Sequence, residues 1–267
     1  MKAIQIEVNL SVWAGRKLDK TASRETGAVY QAQAGSISVH KLLINKEFLA
    51  PLQKIANEAR NYVYKSTLPW SGSLRLLPIG KYHEFNAVLL ALQSDFEQGV
   101  SELSNNYNAA IRMAKTELGL LFDGGQYPPL SVLKKKFKFH ILYSPVNATT
   151  ETVYGDMLGI EFEKAKSKNL ERALEALQNE YMEQLEHVKG MLEDEDKILH
   201  KSLLTNALSL AEKLESFEIL NPQLKQIAEE LKGVFSVDIQ KIKKDKGQRQ
   251  RTQVGISKLL ANAESWV

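Results

Sequence analysis

Long amphipathic stripes leave this chain few ways to fold. Tyr82, Phe85, Leu89, Leu92, Phe96, Val100, Leu103 and Tyr107 step by three or four residues, and Ile111, Ala114, Leu118 and Leu121 can carry the stripe onward. Steps of that size repeat one face of a helix, so they predict a long helix, or a helix pair broken at Asn105-Asn106. Leu170, Leu174, Leu177, Tyr181, Leu185, Val188 and Leu192 form a second stripe among many Glu. Leu199, Leu203, Leu204, Ala207, Leu208, Ala211 and Leu214 mark another helix. Asn221-Pro222 opens the next, from Leu224 to Leu231, and the last two are expected over Val237 to Lys244 and Gln248 to Ser265. Stripes joined by short loops are expected to pack on one another inside the chain. A coiled-coil seam for a partner is the alternative.

Strand periodicity is confined to the first half. Ile4, Ile6, Val8, Leu10 and Val12 alternate, and alternate residues of a strand share a face. A second run, Ile37, Val39 and Leu42-Leu43-Ile44, is expected to pair with it, across a polar stretch holding Arg16, Lys17, Lys20, Arg24 and Gly27. A helix is expected to start at Asn45, a good capping residue, or nearer Phe48 because of Pro51. The breakers of Leu68-Pro69-Trp70-Ser71-Gly72-Ser73 and Leu76-Leu77-Pro78-Ile79-Gly80 read as an unusually apolar loop. Pro128-Pro129 should end the long stripe, and a basic helix from Leu130 to Lys136 should lead into a strand where Phe137, Phe139, Ile141 and Tyr143 alternate. Ser144 to Gly159 reads as loop with one short strand at Thr152 to Tyr154. The expected class is mainly α with a small β element built from the Ile4 and Phe137 segments, an elongated bundle of long antiparallel helices. It is expected as a single domain over 1–267, or as a mixed α/β half at 1–145 and a helical half at 160–267.

Composition narrows the chemistry. The chain has no cysteine, which excludes disulfides, thiol catalysis and cysteine zinc sites, and fits a reducing compartment. Met1 to Glu7 lacks the apolar stretch of a signal peptide, and no run of about 18 apolar residues suggests a membrane span, so a cytoplasmic location is expected. The histidines, His40, His83, His140, His187 and His200, lie far apart. His83-Glu84 begins like a zinc-helix motif, but the position where the second His belongs is Ala87. Gly124-Gly125 lies in no phosphate-binding fingerprint and reads as a helix C-cap. Carboxylate pairs such as Glu193 to Asp196 are too common on helices to point anywhere. No catalytic residue, metal or cofactor is expected, and no enzyme.

Basic clusters are the strongest remaining signal. Lys241, Lys243, Lys244, Lys246, Arg249 and Arg251 face only Asp245 across one short span. Lys134, Lys135, Lys136 and Lys138 form a second cluster, and Arg16, Lys17, Lys20 and Arg24 a third. Polyphosphate attracts such clusters by counterion release, while exposed helix faces also acquire them without any ligand. Phe137 and Phe139 alternate with Lys136 and Lys138, as base-stacking aromatics do, but a strand burying one aromatic face gives the same pattern more economically.

Three segments carry a resemblance. They are Asn9-Leu10-Ser11-Val12-Trp13-Ala14-Gly15-Arg16-Lys17-Leu18, the pair Thr67-Leu68-Pro69-Trp70 and Arg75-Leu76-Leu77-Pro78, and the course from His200-Lys201-Ser202-Leu203-Leu204-Thr205-Asn206 through Leu220-Asn221-Pro222. Together they resemble, over nearly the whole chain, an uncharacterised phage and mobile-element family catalogued as a domain of unknown function. Its members are typically encoded beside a MoxR-like AAA+ ATPase and a von Willebrand A-domain protein. The resemblance implies an adaptor in an ATPase–A-domain module linked to DNA processing, and it implies no catalytic residue. Nucleic-acid binding through the three basic clusters is the alternative.

Overall fold

The computed structural model describes residues 2–146, 155–194 and 196–263. Helices take more than half of the chain and a four-stranded sheet supplies most of the β structure, which makes it a mainly helical α+β fold. The chain forms two compact units that interleave along the sequence. The first is built from Met1–Glu7, Val63–Phe85 and Leu142–Val267, the second from Val8–Tyr62 and Asn86–Ile141. Among the described residues, no helix is long and apolar enough to cross a membrane.

The alternating N-terminal segment forms β1 (Ala3–Ser11), with Ala3 and Ile6 buried. The Ile37 to Ile44 run does not pair with it. Instead β2 (Arg16–Leu18) pairs antiparallel with β3 (His40–Leu42) in a separate ribbon, Lys17 opposite Lys41. Gly15, just before β2, suits its place: its φ is +60°, and a Cβ there would stand 2.6 Å from Leu49 Cδ1. Between the ribbon strands lies α1 (Lys20–Val29), a helix that the polar sequence did not announce. Asn45 caps a short 3-10 turn, and α2 (Ala50–Ser66) follows with Pro51 in its first turn, where a missing N–H costs nothing.

The breaker-rich segment after Thr67 is a hairpin, not a loop. β4 (Leu68–Ser71) and β5 (Leu74–Pro78) turn at Gly72, whose φ of +57° suits the first position of a two-residue turn. Pro69 is tolerated because β4 is an edge strand, and Pro78 because it ends β5. The apolar side chains win: Leu68 and Trp70 on one strand and the adjacent Leu76 and Leu77 on the other are buried. β5 pairs antiparallel with β1, from Ala3 opposite Pro78 to Ile6 opposite Arg75.

The long stripe is one helix, α3 (Tyr82–Leu118), unbroken at Asn105-Asn106. Asn106 lies on the surface and donates to Glu102 O, so its amide supports the turn it would otherwise compete with. Gly119, with a φ of +52°, ends it, and Gly124-Gly125 forms a 3-10 turn capped by Asp123 rather than the helix C-cap expected there. The basic helix is shorter than expected, α4 (Leu130–Lys134). β6 (Lys138–Pro145) then completes the sheet in the order β4-β5-β1-β6. In the second unit, Phe96 packs edge-on against Phe137 and Phe139, so those aromatics are core rather than stacking platforms.

The remainder of the first unit is helical: α5 (Gly155–Glu193), α6 (Ser202–Ser216), α7 (Gln223–Phe235), α8 (Ile239–Lys244) and α9 (Lys246–Ala263). Helix α5 begins inside the segment expected as loop, and the strand expected at Thr152 to Tyr154 lies outside the described residues. Leu177, Tyr181, Leu185 and Val188 of the second stripe are almost wholly buried against α6, α9 and β4. Leu231 and Phe235 of α7 join the same core. Each such side chain stabilises the fold by roughly 1.5–3 kcal/mol relative to exposure.

Candidate functional site

The structure divides the basic clusters by what their charges meet. In the second unit Arg16 and Lys17 on β2, and Lys20 and Arg24 on α1, are exposed, and among the described residues no carboxylate pairs with them. The acid between them is already engaged. Asp19 caps α1, accepting from Ala22 N at 3.0 Å and Thr21 N at 3.1 Å, and pairs with Lys41 at 3.6 Å. The Ala22 amide above all, with help from Lys41, holds the Asp19 carboxyl below its ordinary pKa.

Helix α1 is held by hydrogen bonds rather than by a core. None of its residues is buried. Ser23 Oγ donates to Asp19 O at 2.6 Å and accepts from Val39 N at 2.9 Å. Beside it lies an open groove of about 750 Å³, in which Leu18, Ala28, Ala32 and Ile37 offer apolar surface and Lys20 and Arg24 supply the charge. Val29 and Tyr30 at the helix end are 76% and 74% exposed, so apolar area continues onto the open surface. Lys134, Lys135 and Lys136, also in this unit, are exposed between the buried anchors Leu133 and Phe137.

The third cluster belongs to the first unit and is partly committed to structure. Lys241, Lys243 and Lys244 stand exposed on α8, anchored by buried Ile239 and Ile242. Lys243 also lines a cleft of about 550 Å³ with His200, Lys201 and Phe235. Lys246 opens α9, exposed. Arg249 does something else. Its Nε donates to Leu192 O and an Nη to Asp194 O, both at 2.8 Å, so its charge sits at the C-terminal end of α5, where unpaired carbonyls accumulate. Arg251 pairs with Asp245 at 3.7 Å on the surface.

One polar site had no counterpart in the sequence reading. Lys213 lies beside the apolar stripe of α6, and its side chain is 5% exposed. Its Nζ donates to Glu180 Oε2 at 2.6 Å and to Tyr64 O at 3.0 Å. Nearby, Arg75 Nε donates to the buried Thr67 hydroxyl at 2.6 Å, and its guanidinium stacks 4.4 Å over the Tyr64 ring. Burial lowers the pKa of Lys213, and the Glu180 carboxylate opposes that shift. Burial lowers Arg75 as well. A single lysine flanking an apolar stripe ordinarily reads as a surface cation lying its stem along the core, so nothing local marks this one.

All five histidines are exposed, and among the described residues no group of three or more histidine or carboxylate side chains is placed to hold a metal ion. Of the acidic turn at Glu193 to Asp196, Glu195 lies outside the described residues, and Asp194 pairs with Lys197. No curated protein and no solved structure matches the chain. Residues 2–262 match the family described as a protein of unknown function (DUF3150), and the chain belongs to that family.

Proposed function

We propose that this chain is a non-enzymatic adaptor that holds an acidic, partly apolar segment of a partner protein in the groove beside α1. The observation that supports it is a helix with no buried residue, next to a groove of about 750 Å³ with an apolar floor and the cations Lys20 and Arg24, which pair with no carboxylate among the described residues. An apolar floor supplies affinity, and cations without internal partners select acidic ligands and speed their encounter. The partners that the family resemblance offers are a MoxR-like AAA+ ATPase and a von Willebrand A-domain protein, in a phage or mobile-element module linked to DNA processing. The test is binding of the purified chain to each of these two proteins. Binding to one of them is expected, with loss in the Lys20→Glu/Arg24→Glu variant. Absence of binding to both at low ionic strength overturns the reading.

Nucleic-acid binding is the second reading, favoured by Lys134, Lys135, Lys136, Lys241, Lys243 and Lys244, which are exposed and meet no carboxylate among the described residues. It requires affinity for DNA or RNA that falls linearly with the logarithm of salt concentration, with a slope that shrinks when Lys243 and Lys244 become Gln.

A further inference from the structure

The buried lysine of the first unit borders a cavity that the adaptor reading does not use. It measures about 190 Å³ and is lined by Lys65, Glu180, Gln184, Asn206, Ser209 and Lys213. Glu180 and Gln184 lie one turn apart on α5, and Asn206, Ser209 and Lys213 are spaced three and four residues apart, so they share a face of α6.

Two donors at the wall lack acceptors. An ammonium group has three protons. Two of those on Lys213 go to Glu180 and Tyr64 O, which leaves the third for the cavity. The Gln184 amide nitrogen is buried and has no acceptor among the described residues. Such a group is costly unless something completes it, and the one lining carboxylate, Glu180, already gives its Oε2 to Lys213. Charge points the same way, since Lys65 and Lys213 outnumber Glu180 at the wall. A ligand that supplies only acceptors and carries negative charge meets both needs. A cation or a pure donor meets neither.

We propose that this cavity binds a compact oxyanion, of the size and chemistry of inorganic phosphate or a small carboxylate. Lys213 and the Gln184 amide grip its oxygens from α6 and α5, and the Asn206 and Ser209 side chains are in place to complete the shell.

The test is thermal unfolding of the full chain in potassium phosphate, potassium acetate and potassium chloride at matched ionic strength, with calorimetric titration of the same anions. A Tm rise of about 2–4 °C over chloride, growing with anion concentration, is expected in phosphate or acetate. Phosphate alone acting identifies a tetrahedral ligand, and acetate alone a planar one. The rise should vanish in Gln184→Leu, which removes an amide that has no partner and so leaves the fold intact. Lys213→Met should abolish it too, and Gln184→Leu carries the test if that variant fails to fold. The Lys20→Glu/Arg24→Glu variant should keep the rise, which separates this site from the groove. Equal Tm values in the three salts, or a rise that survives in Gln184→Leu, would overturn the proposal.

Discussion

Helices α7 and α1 are both short and both lie beside apolar surface, yet they are held in different ways. Helix α7 buries Leu224, Ala228, Leu231 and Phe235, and the core holds it. Helix α1 buries nothing and is held by the Asp19 cap and the Ser23 hydroxyl. The cations follow the same division. In the first unit Lys213, Arg75 and Arg249 donate to carbonyls and a buried hydroxyl. In the second, Arg16, Lys17, Lys20 and Arg24 stand outside the ion pairs. A run of positive charge therefore says little about a surface until each charge has been followed to its partner. Lys213, Arg75 and Arg249 turn inward to satisfy backbone and a hydroxyl, whereas Lys20 and Arg24 stay available.

Four measurements test that contrast. The largest effect is expected at Phe235, which is fully buried: Phe235→Ala should destabilise by about 3–5 kcal/mol in denaturant unfolding. Tyr30→Ala at the end of α1 should cost no more than about 0.5 kcal/mol, and equal losses at the two sites would end the comparison. Alkaline unfolding comes next. Burial, with the Tyr127 phenol nearby, raises Tyr107 from 10.0 to about 12. Its folded pKa lies above the unfolded one, so its contribution is whole below pH 10 and is lost as pH rises toward 12, by roughly 2–3 kcal/mol. Melting curves across that range should show the loss, and Tyr107→Phe should flatten it.

Arg249→Ala removes two charge-assisted hydrogen bonds from the end of α5 and should cost about 2 kcal/mol. Arg251→Ala, which breaks only an exposed ion pair, should cost under about 0.5 kcal/mol by the same denaturant titration. The smallest effect belongs to Lys20→Glu/Arg24→Glu, with stability unchanged within about 0.5 kcal/mol while partner binding disappears. A large loss of stability in that variant would show that α1 depends on its cations for folding.

The stripes that fold into α3 and α5 were plain in the sequence because a sustained period leaves one arrangement for the apolar face, as Leu177 and Leu185 illustrate. The Ile4 and Phe137 segments were equally legible as strands of one sheet. The hairpin at Leu68 to Pro78 was not, because Pro69 and Gly72 read as breakers until the edge position of β4 is known. Helix α1 escaped because its signals are a cap and hydrogen bonds, and no apolar stripe marks it. The candidate sites were half visible. Lys20 and Arg24 stood out by charge, whereas the Lys213 site draws on Glu180, 33 residues away, and Tyr64, 149 residues away, pairings that only the fold brings about.

The place of β1 in the sheet bears on how the chain is made. Ala3–Ser11 is synthesised before the other strands of its sheet but lies between β5 and β6, and β6 does not begin until Lys138. At ribosomal speeds of about 5–20 residues per second, the strand waits on the order of ten seconds for that neighbour. During that interval Ile4, Ile6 and Val8 lack the neighbouring strand on one side, and an open strand edge of that kind is prone to aggregation. Slowing translation between Leu74–Pro78 and Lys138–Pro145 should therefore lower the yield of folded protein more than slowing it anywhere after β6.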